Sequence, residues 1–251
     1  DLNITRKIAR LAEVVEGQTV IEVGPGPGGL TRALLEAGAK VIAVEMDPRF
    51  FPLLNGLGDA APGQLHLVQN DALRVKEADL IAEHAPGTQA SVVANLPYNV
   101  GTALLLKWLT GPWQPSSMTL MFQKEVADRI TAQVGDDAYG RLAVVVQATA
   151  KARTVMDLPA RAFTPPPKVT SAVVNLTPLT DRPDAAMLKA LERTTQAAFG
   201  QRRKMLRSSL KTLGGTELCL AAGIDPDVRA ETVDVDGFLA LAKIVLAQTK
   251  A

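Results

Sequence analysis

The chain has 251 residues, 47% of them hydrophobic and 21% charged, with a formal net charge of +1; that suits one large domain or a large and a small one, excludes global disorder, and means that any nucleic-acid partner must be met by a local charge cluster. Cys219 is the only cysteine and there are two histidines, so an internal disulfide is excluded and no metal site is expected. No apolar run approaches the roughly 20 residues of a membrane span and the first residues do not read as a signal peptide, so a cytoplasmic or organelle-matrix protein with no membrane partner is expected.

Apolar residues Leu2, Ile4, Ile8, Leu11, Ala12 and Val15 recur at helical spacing and predict a first helix. A short apolar run at 19–23 ends in glycines and reads as a buried strand, followed by a helix over 29–37. Further strands are predicted at 40–44, 65–68, 90–94 and 118–122, with helices over 101–109 and 124–132. Apolar runs at 142–149 and 172–176 read as two more strands, separated by a proline-rich loop. Beyond a linker at 180–183, helices are predicted over 185–199, 202–213, 217–222 and 236–248, with a turn at Asp225-Pro226. Alternating strands and helices imply a mostly parallel, doubly wound α/β sheet over 1–180, and the tail over 181–251 a small all-helical domain.

Glu22, Glu45, Asp71 and Asn95 punctuate the carboxyl ends of successive predicted strands. That edge of an open α/β sheet is where ligands bind. Gly24, Gly26 and Gly28 alternate with prolines between strand and helix. Glycines allow sharp turns and close approach to a ligand; by itself the loop is also compatible with an empty tight turn. A dinucleotide site spaces its glycines differently and sets pyrophosphate on the helix start. Glu22 beside the first glycine is awkward for pyrophosphate and suits an ammonium or sulfonium. Glu45 can accept both ribose hydroxyls, and Asp71, followed by Ala72, can contact an adenine amine or simply cap a helix. Together these favour S-adenosylmethionine over NAD.

Asn95-Leu96-Pro97-Tyr98 follows the fourth strand. The exocyclic amine of adenine is a poor nucleophile because its lone pair is delocalised into the ring. Two acceptors on its hydrogens favour a pyramidal nitrogen. The Asn95 side chain can supply one, and the Leu96 carbonyl, fixed by Pro97, the other. Tyr98 can stack on the base, a contact worth about 1–3 kcal/mol. The plainer alternative is a strand-end turn with a buried tyrosine.

The ordered series Glu-Val-Gly-Pro-Gly-Pro-Gly-Gly-Leu-Thr (22–31), Val-Glu-Met-Asp (44–47), Gln-Asn-Asp-Ala (69–72), Asn-Leu-Pro-Tyr (95–98), Phe-Gln-Lys-Glu-Val-Ala-Asp-Arg (122–129) and Phe-Thr-Pro-Pro-Pro-Lys-Val-Thr-Ser (163–171) resembles the ribosomal RNA adenine N6,N6-dimethyltransferases, most of all the small-subunit type. The resemblance covers nearly the whole chain. It implies a Rossmann-like S-adenosylmethionine-dependent methyltransferase sheet with a helical C-terminal domain, acting on two adjacent adenosines in a hairpin near the 3′ end of small-subunit rRNA, free or in a partly assembled subunit. It further implies Glu22, Gly24, Gly26, Gly28, Glu45, Met46, Asp71, Ala72 and Asn95 for the cofactor, and Asn95 to Tyr98 with Phe163 for the target base. Phe163 closes the second face of that base, held by the stiff prolines 165–167. Family members carry a basic N-terminal arm upstream of Asp1-Leu-Asn-Ile, so the expectation is that the natural protein starts earlier.

The segment 199–211 holds Arg202, Arg203, Lys204, Arg207 and Lys211 and no acid. Arg203, Arg207 and Lys211 are spaced to share a helix face. Such a face is often merely solvated, but the resemblance makes it an RNA contact, with Lys124, Arg129 and Arg141 extending the track and Asp225, Asp227, Asp234 and Asp236 kept away. A monomer is expected. Three alternatives stand beside this reading: a macrolide-resistance methyltransferase of large-subunit rRNA, which the proline-rich loop and tail fit less well; a non-catalytic nucleic-acid-binding protein of the mitochondrial transcription factor type, which would tolerate loss of Glu45, Asp71 or Asn95; and a dinucleotide oxidoreductase, which Glu22 and the glycine spacing oppose.

Overall fold

A computed structural model describes residues 2–162 and 167–250. Its elements begin with α1 (Leu2–Leu11), β1 (Thr19–Val23), α2 (Gly29–Glu36), β2 (Lys40–Glu45), α3 (Phe51–Ala60), β3 (Leu65–Gln69), α4 (Glu77–His84), β4 (Ala90–Asn95), α5 (Gly101–Thr110) and β5 (Met118–Gln123). There follow α6 (Lys124–Thr131), α7 (Arg141–Thr149), β6 (Ala150–Leu158), β7 (Ser171–Pro178), α8 (Ala185–Gly200), α9 (Leu206–Ser209), α10 (Gly215–Ala221) and α11 (Val235–Lys250).

The strands form one sheet in the order β3-β2-β1-β4-β5-β7-β6. β1 to β5 run parallel, and β7 lies antiparallel to β5. β1 is buried along its whole length and β4 up to Asn95, as continuous apolar runs require in a parallel sheet covered on both faces. Ile8 and Ala9 of α1 and Leu30, Ala33 and Leu34 of α2 pack in one cluster with Val20, Val41 and Val93 of the sheet. The chain steps outward from β1 to β2 and β3, then returns through α4 to β4 on the other side of β1. The order therefore reverses between β1 and β4, which opens a crevice at the carboxyl ends of those two strands. The Rossmann-like sheet and helical C-terminal region expected from the sequence are both present.

Some elements differ from the sequence reading. Residues 142–149 form helix α7, not a strand. The Val-Val-Val run suggested β structure, but seven of its residues, from Leu142 to Thr149, are buried, and periodicity cannot separate a helix buried all round from a buried strand. Thr149 turns its hydroxyl back to the Val145 and Val146 carbonyls. The true strand is β6 just beyond, half exposed and studded with Lys151, Arg153 and Asp157, which keep an edge strand from pairing with other chains. Helix α3 carries Asn55, Gly56 and Gly58 in its body, which hid it. Helix α4 is short, with Glu77 and Asp79 in its first turn and His84 in its last, the arrangement that suits the helix dipole.

The chain divides into two compact units, Asp1–Ala127 with Arg153–Pro178, and Asp128–Ala152 with Leu179–Ala251. The boundary expected at 180 puts residues 128–152 with the sheet; their contacts lie with the helical unit. Tyr139 shows why. Its ring is fully buried, meets Phe199 edge-on, and its hydroxyl donates to the Val233 carbonyl at 2.8 Å. Leu191 of α8 and Phe238, Leu241 and Val245 of α11 complete that core. Among the described residues no helix is long and apolar enough to cross a membrane, and no cluster of His, Cys, Asp or Glu could hold a metal ion.

Candidate active site

The glycine loop leaves β1 at the reversal of strand order. Gly24, Gly26 and Gly28 all have positive φ, at 65°, 54° and 87°, a backbone that glycine adopts without strain. Their surroundings differ. A Cβ on Gly24 would sit 3.7 Å from the Pro97 ring, an ordinary packing distance, so the loop after β1 runs close to the turn after β4. A Cβ on Gly28 would meet Leu57 at 2.5 Å and Leu54 at 3.1 Å. A Cβ on Gly26 would point into open space, the feature expected where a ligand comes close to the backbone.

Glu45 ties this loop to β2. Its carboxylate accepts from the Gly26 amide at 3.0 Å and from the Asp47 amide at 2.8 Å. Each oxygen spends one lone pair on the protein and keeps another. Met46, next in the chain, is 69% exposed and offers an apolar face beside that carboxylate.

Glu22 is not at the ligand surface. It is buried, and its carboxyl accepts from the Thr31 hydroxyl at 2.7 Å. The sequence suggested that Glu22 faces an ammonium or sulfonium; the structure instead puts it beneath the loop, bracing α2 against β1. Burial pushes this carboxyl up from 4.5 to about 8, with Glu45 adding to the rise and the Thr31 hydrogen bond opposing it. The fold therefore favours the protonated acid. The stability this gives is complete below about pH 4.5 and is lost as pH rises through about 8. Glu22→Gln keeps a neutral acceptor for Thr31 and should remove this loss. Thermal melts of both proteins from mildly acid to alkaline pH should show wild type falling progressively below the variant, by an amount on the order of a few kcal/mol. Parallel curves would mean that Glu22 does not titrate in this range.

Beyond β3, the Asp71 carboxylate accepts from the Leu73 amide at 2.9 Å, and its own amide donates to Asn70 Oδ1 at 2.8 Å. Arg74 lies 3.7 Å from it. The carbonyl of Ala72 accepts from Lys107 Nζ on α5 at 2.9 Å. Lys107 also donates to the Val75 carbonyl and, at 2.7 Å, to Glu77, which Trp108 Nε1 contacts at the same distance.

The Asn95-Leu96-Pro97-Tyr98 turn follows β4. The Asn95 side chain is exposed, and the Leu96 side chain is buried and anchors the turn. The Pro97 carbonyl accepts the Gly101 amide at 3.0 Å, starting α5. Tyr98 is half exposed, and its hydroxyl meets Ser171 Oγ at 3.2 Å. Ser171 is fully buried at the start of β7, so the ring is held at its hydroxyl end while much of the residue stays exposed. Phe163 lies outside the described residues.

Sequence reasoning thus brought Gly24, Gly26, Glu45, Asp71, Ala72 and Asn95 to one sheet edge and gave no role to Thr31, Lys107, Glu77 or Ser171. Lys107 had a signal, as the only charge in an otherwise apolar helix. Ser171 had one too, as the last residue of the 163–171 motif.

The basic segment departs from expectation. Residues 202–213 are not one helix. Leu206, Ser209, Leu210 and Leu213 are buried at helical spacing, which explains the expectation. However, the Leu206 and Arg207 amides donate to the carbonyls of Val228 and Pro226 instead of an earlier turn. Only a short α9 remains, so Arg203, Arg207 and Lys211 do not share a helix face. Nor are the acids all remote: Arg207 pairs with Asp227 at 3.0 Å. Arg202 donates to the carbonyls of Asp137 and Tyr139 and approaches Glu231 at 3.7 Å. Arg203, Lys204 and Lys211 are exposed, with no ion pair among the described residues.

Comparison with known proteins matches residues 1–246 to the family described as ribosomal RNA adenine dimethylase. The chain is 69% identical to ribosomal RNA small subunit methyltransferase A of Phenylobacterium zucineum, over all of this chain and 86% of that protein. It is 67% identical to the protein of the same name in Caulobacter vibrioides, over 98% of this chain and 93% of the relative. Among solved structures, a dimethyladenosine transferase from Plasmodium falciparum superposes with a TM-score of 0.76 at 25% identity, covering 95% of this chain and 94% of that one. The 23S rRNA methyltransferase ErmE superposes with a TM-score of 0.71, also at 25% identity, covering 97% of each.

Proposed function

Because the chain belongs to the ribosomal RNA adenine dimethylase family, we propose that it dimethylates the N6 amines of two adjacent adenosines in a hairpin near the 3′ end of small-subunit rRNA, with S-adenosylmethionine as methyl donor. The observation that carries this reading is the proximity of Gly24 and Pro97, a Cβ at Gly24 falling 3.7 Å from the Pro97 ring, which brings the glycine loop close to the Asn95–Tyr98 turn. Relatives at 69% and 67% identity that carry the small-subunit name support that subunit as target over the large one.

The residues present suit the cofactor. Open space at Gly26, the remaining lone pairs of Glu45 and the exposed Met46 fit a ribose and an adenine lying along the strand ends. Asp71 is the partner for the adenine amine. When bound, S-adenosylmethionine supplies a methyl group on an electrophilic sulfonium. The chain's own part is to hold the target amine in line. The Asn95 side-chain oxygen and the Leu96 carbonyl accept hydrogen bonds from its two N–H groups, and Tyr98 stacks on the ring. So held, the amine would present its lone pair to the methyl group that the donor would supply, and its surplus proton would leave afterwards to water. Catalysis is by positioning and electrostatics. The base must be unpaired or flipped to reach this edge. The same reading has the enzyme act as a monomer, in the cytoplasm, on small-subunit rRNA or partly assembled subunits.

Transfer of tritiated methyl groups to undermethylated small subunits, with large subunits as control, tests the proposal. Dimethyladenosine in small-subunit rRNA is the expected product. Label in the large subunit would favour the macrolide-resistance reading.

For RNA, the exposed Arg203, Lys204 and Lys211 are the phosphate contacts in this reading, and Arg202 and Arg207 are partly occupied by protein partners. Arg203→Ala with Lys211→Ala should weaken RNA binding and lower its salt slope by about one for each phosphate no longer neutralised. Cofactor affinity should not change. An unchanged slope in binding titrations over a range of KCl concentrations would remove this segment from the RNA surface.

A further inference from the structure

Lys107 lies on α5, 25% exposed, against the nearly buried Glu77. Its three donors are all taken, by the Ala72 carbonyl, the Val75 carbonyl and Glu77. Removing such a pair from water is costly, and apolar replacements of buried ion pairs are often no less stable. A role in geometry therefore accounts for it better than one in stability alone.

The geometry centres on a single peptide. The carbonyl of the Ala72–Leu73 peptide accepts from Lys107, and its amide donates to the Asp71 carboxylate. Peptide planes are rigid, so fixing one end fixes the other. Lys107 thereby sets where the Asp71 carboxylate can sit. Trp108, the next residue on α5, donates to the same Glu77 oxygen, so Glu77 is held by two donors from one helix. That helix begins on the Pro97 carbonyl, inside the turn assigned to the target base.

We propose that Lys107 is a positioning residue for cofactor selection: it aims Asp71 at the adenine amine through the Ala72–Leu73 peptide, and links that end of the site to the Asn95–Tyr98 turn through α5. This role rests on the assignment of Asp71 to the cofactor adenine.

The test compares S-adenosylmethionine with its hypoxanthine analogue, which carries an oxygen where adenine has its amine. A site built to accept from an amine rejects such an analogue strongly. Wild-type enzyme should prefer the adenine form by about 10²-fold or more in kcat/KM. Lys107→Met should cut that preference at least about tenfold, one lost aligned hydrogen bond to a charged group, and leave KM for RNA unchanged. Lys107→Arg should restore part of it. A purely structural role would lower activity with both cofactors equally. If Lys107→Met does not fold, Glu77→Gln loosens the same tie and should show the same loss of preference. A folded variant that keeps the full preference overturns the role of Lys107. Absence of any preference in wild type instead overturns the assignment of Asp71, and this inference with it.

Discussion

Asn95→Ala is expected to lower methyl transfer to small-subunit RNA by roughly 10²–10³-fold, the scale seen when one preorganised polar contact to a reacting centre is deleted. S-adenosylmethionine affinity should change little. The asymmetry follows from the structure. Asn95 ends β4, its side chain exposed, whereas the groups that suit the cofactor's ribose and adenine lie on the β1, β2 and β3 side. Leu96 anchors the turn by burial and the Pro97 carbonyl accepts the Gly101 amide, so loss of the Asn95 amide leaves the backbone in place. Single-turnover methylation and calorimetric titration of the cofactor separate the two effects. Near-normal transfer by the variant would remove Asn95 from the reaction.

Gly28→Val should be the most destabilising single change in the glycine loop. At φ 87° a β-branched residue is strained by about 1–3 kcal/mol. Its Cβ would also press on Leu57 and on the fully buried Leu54, for a further 1–3 kcal/mol or so. For a chain of this size the sum lowers the melting temperature by roughly 5–15 °C. Gly26→Ala makes the useful contrast. No atom lies within 4 Å of the added Cβ, so the fold should lose only about 1 kcal/mol, while cofactor affinity falls because the new methyl occupies space the ligand needs. Melting curves and cofactor titrations on both variants check this. Equal effects of the two changes on cofactor affinity and stability would contradict the distinction.

The sheet was legible because parallel strands buried on both faces read as apolar runs, and because the polar residues that end β2 and β4, Glu45 and Asn95, interrupt those runs abruptly. What could not be read was set by tertiary partners. Helix α7 looks like a strand until Tyr139 and α8 surround it. The broken helix at 202–213 depends on the carbonyls of Pro226 and Val228, distant in sequence. Glu22 could be recognised as acidic beside a glycine, but not as lying beneath the loop instead of above it. Asp71 could be proposed from its place after β3; the Lys107 hydrogen bond to the neighbouring Ala72 carbonyl spans 35 residues and has no local signature.

Tyr98 and Ser171 are separated by 73 residues, whereas the glycine loop, Glu45, Asp71 and Lys107 all lie within the first 107. Synthesis runs from the amino end, so a growing chain has all of β1 to β5 before β7 exists. The hydroxyl that steadies Tyr98 arrives last, after a long loop has been closed at entropic cost. The glycine loop, Glu45 and Asp71 can take their places while Tyr98 still lacks its partner, and that ring is fixed only once most of this chain has left the ribosome that made it.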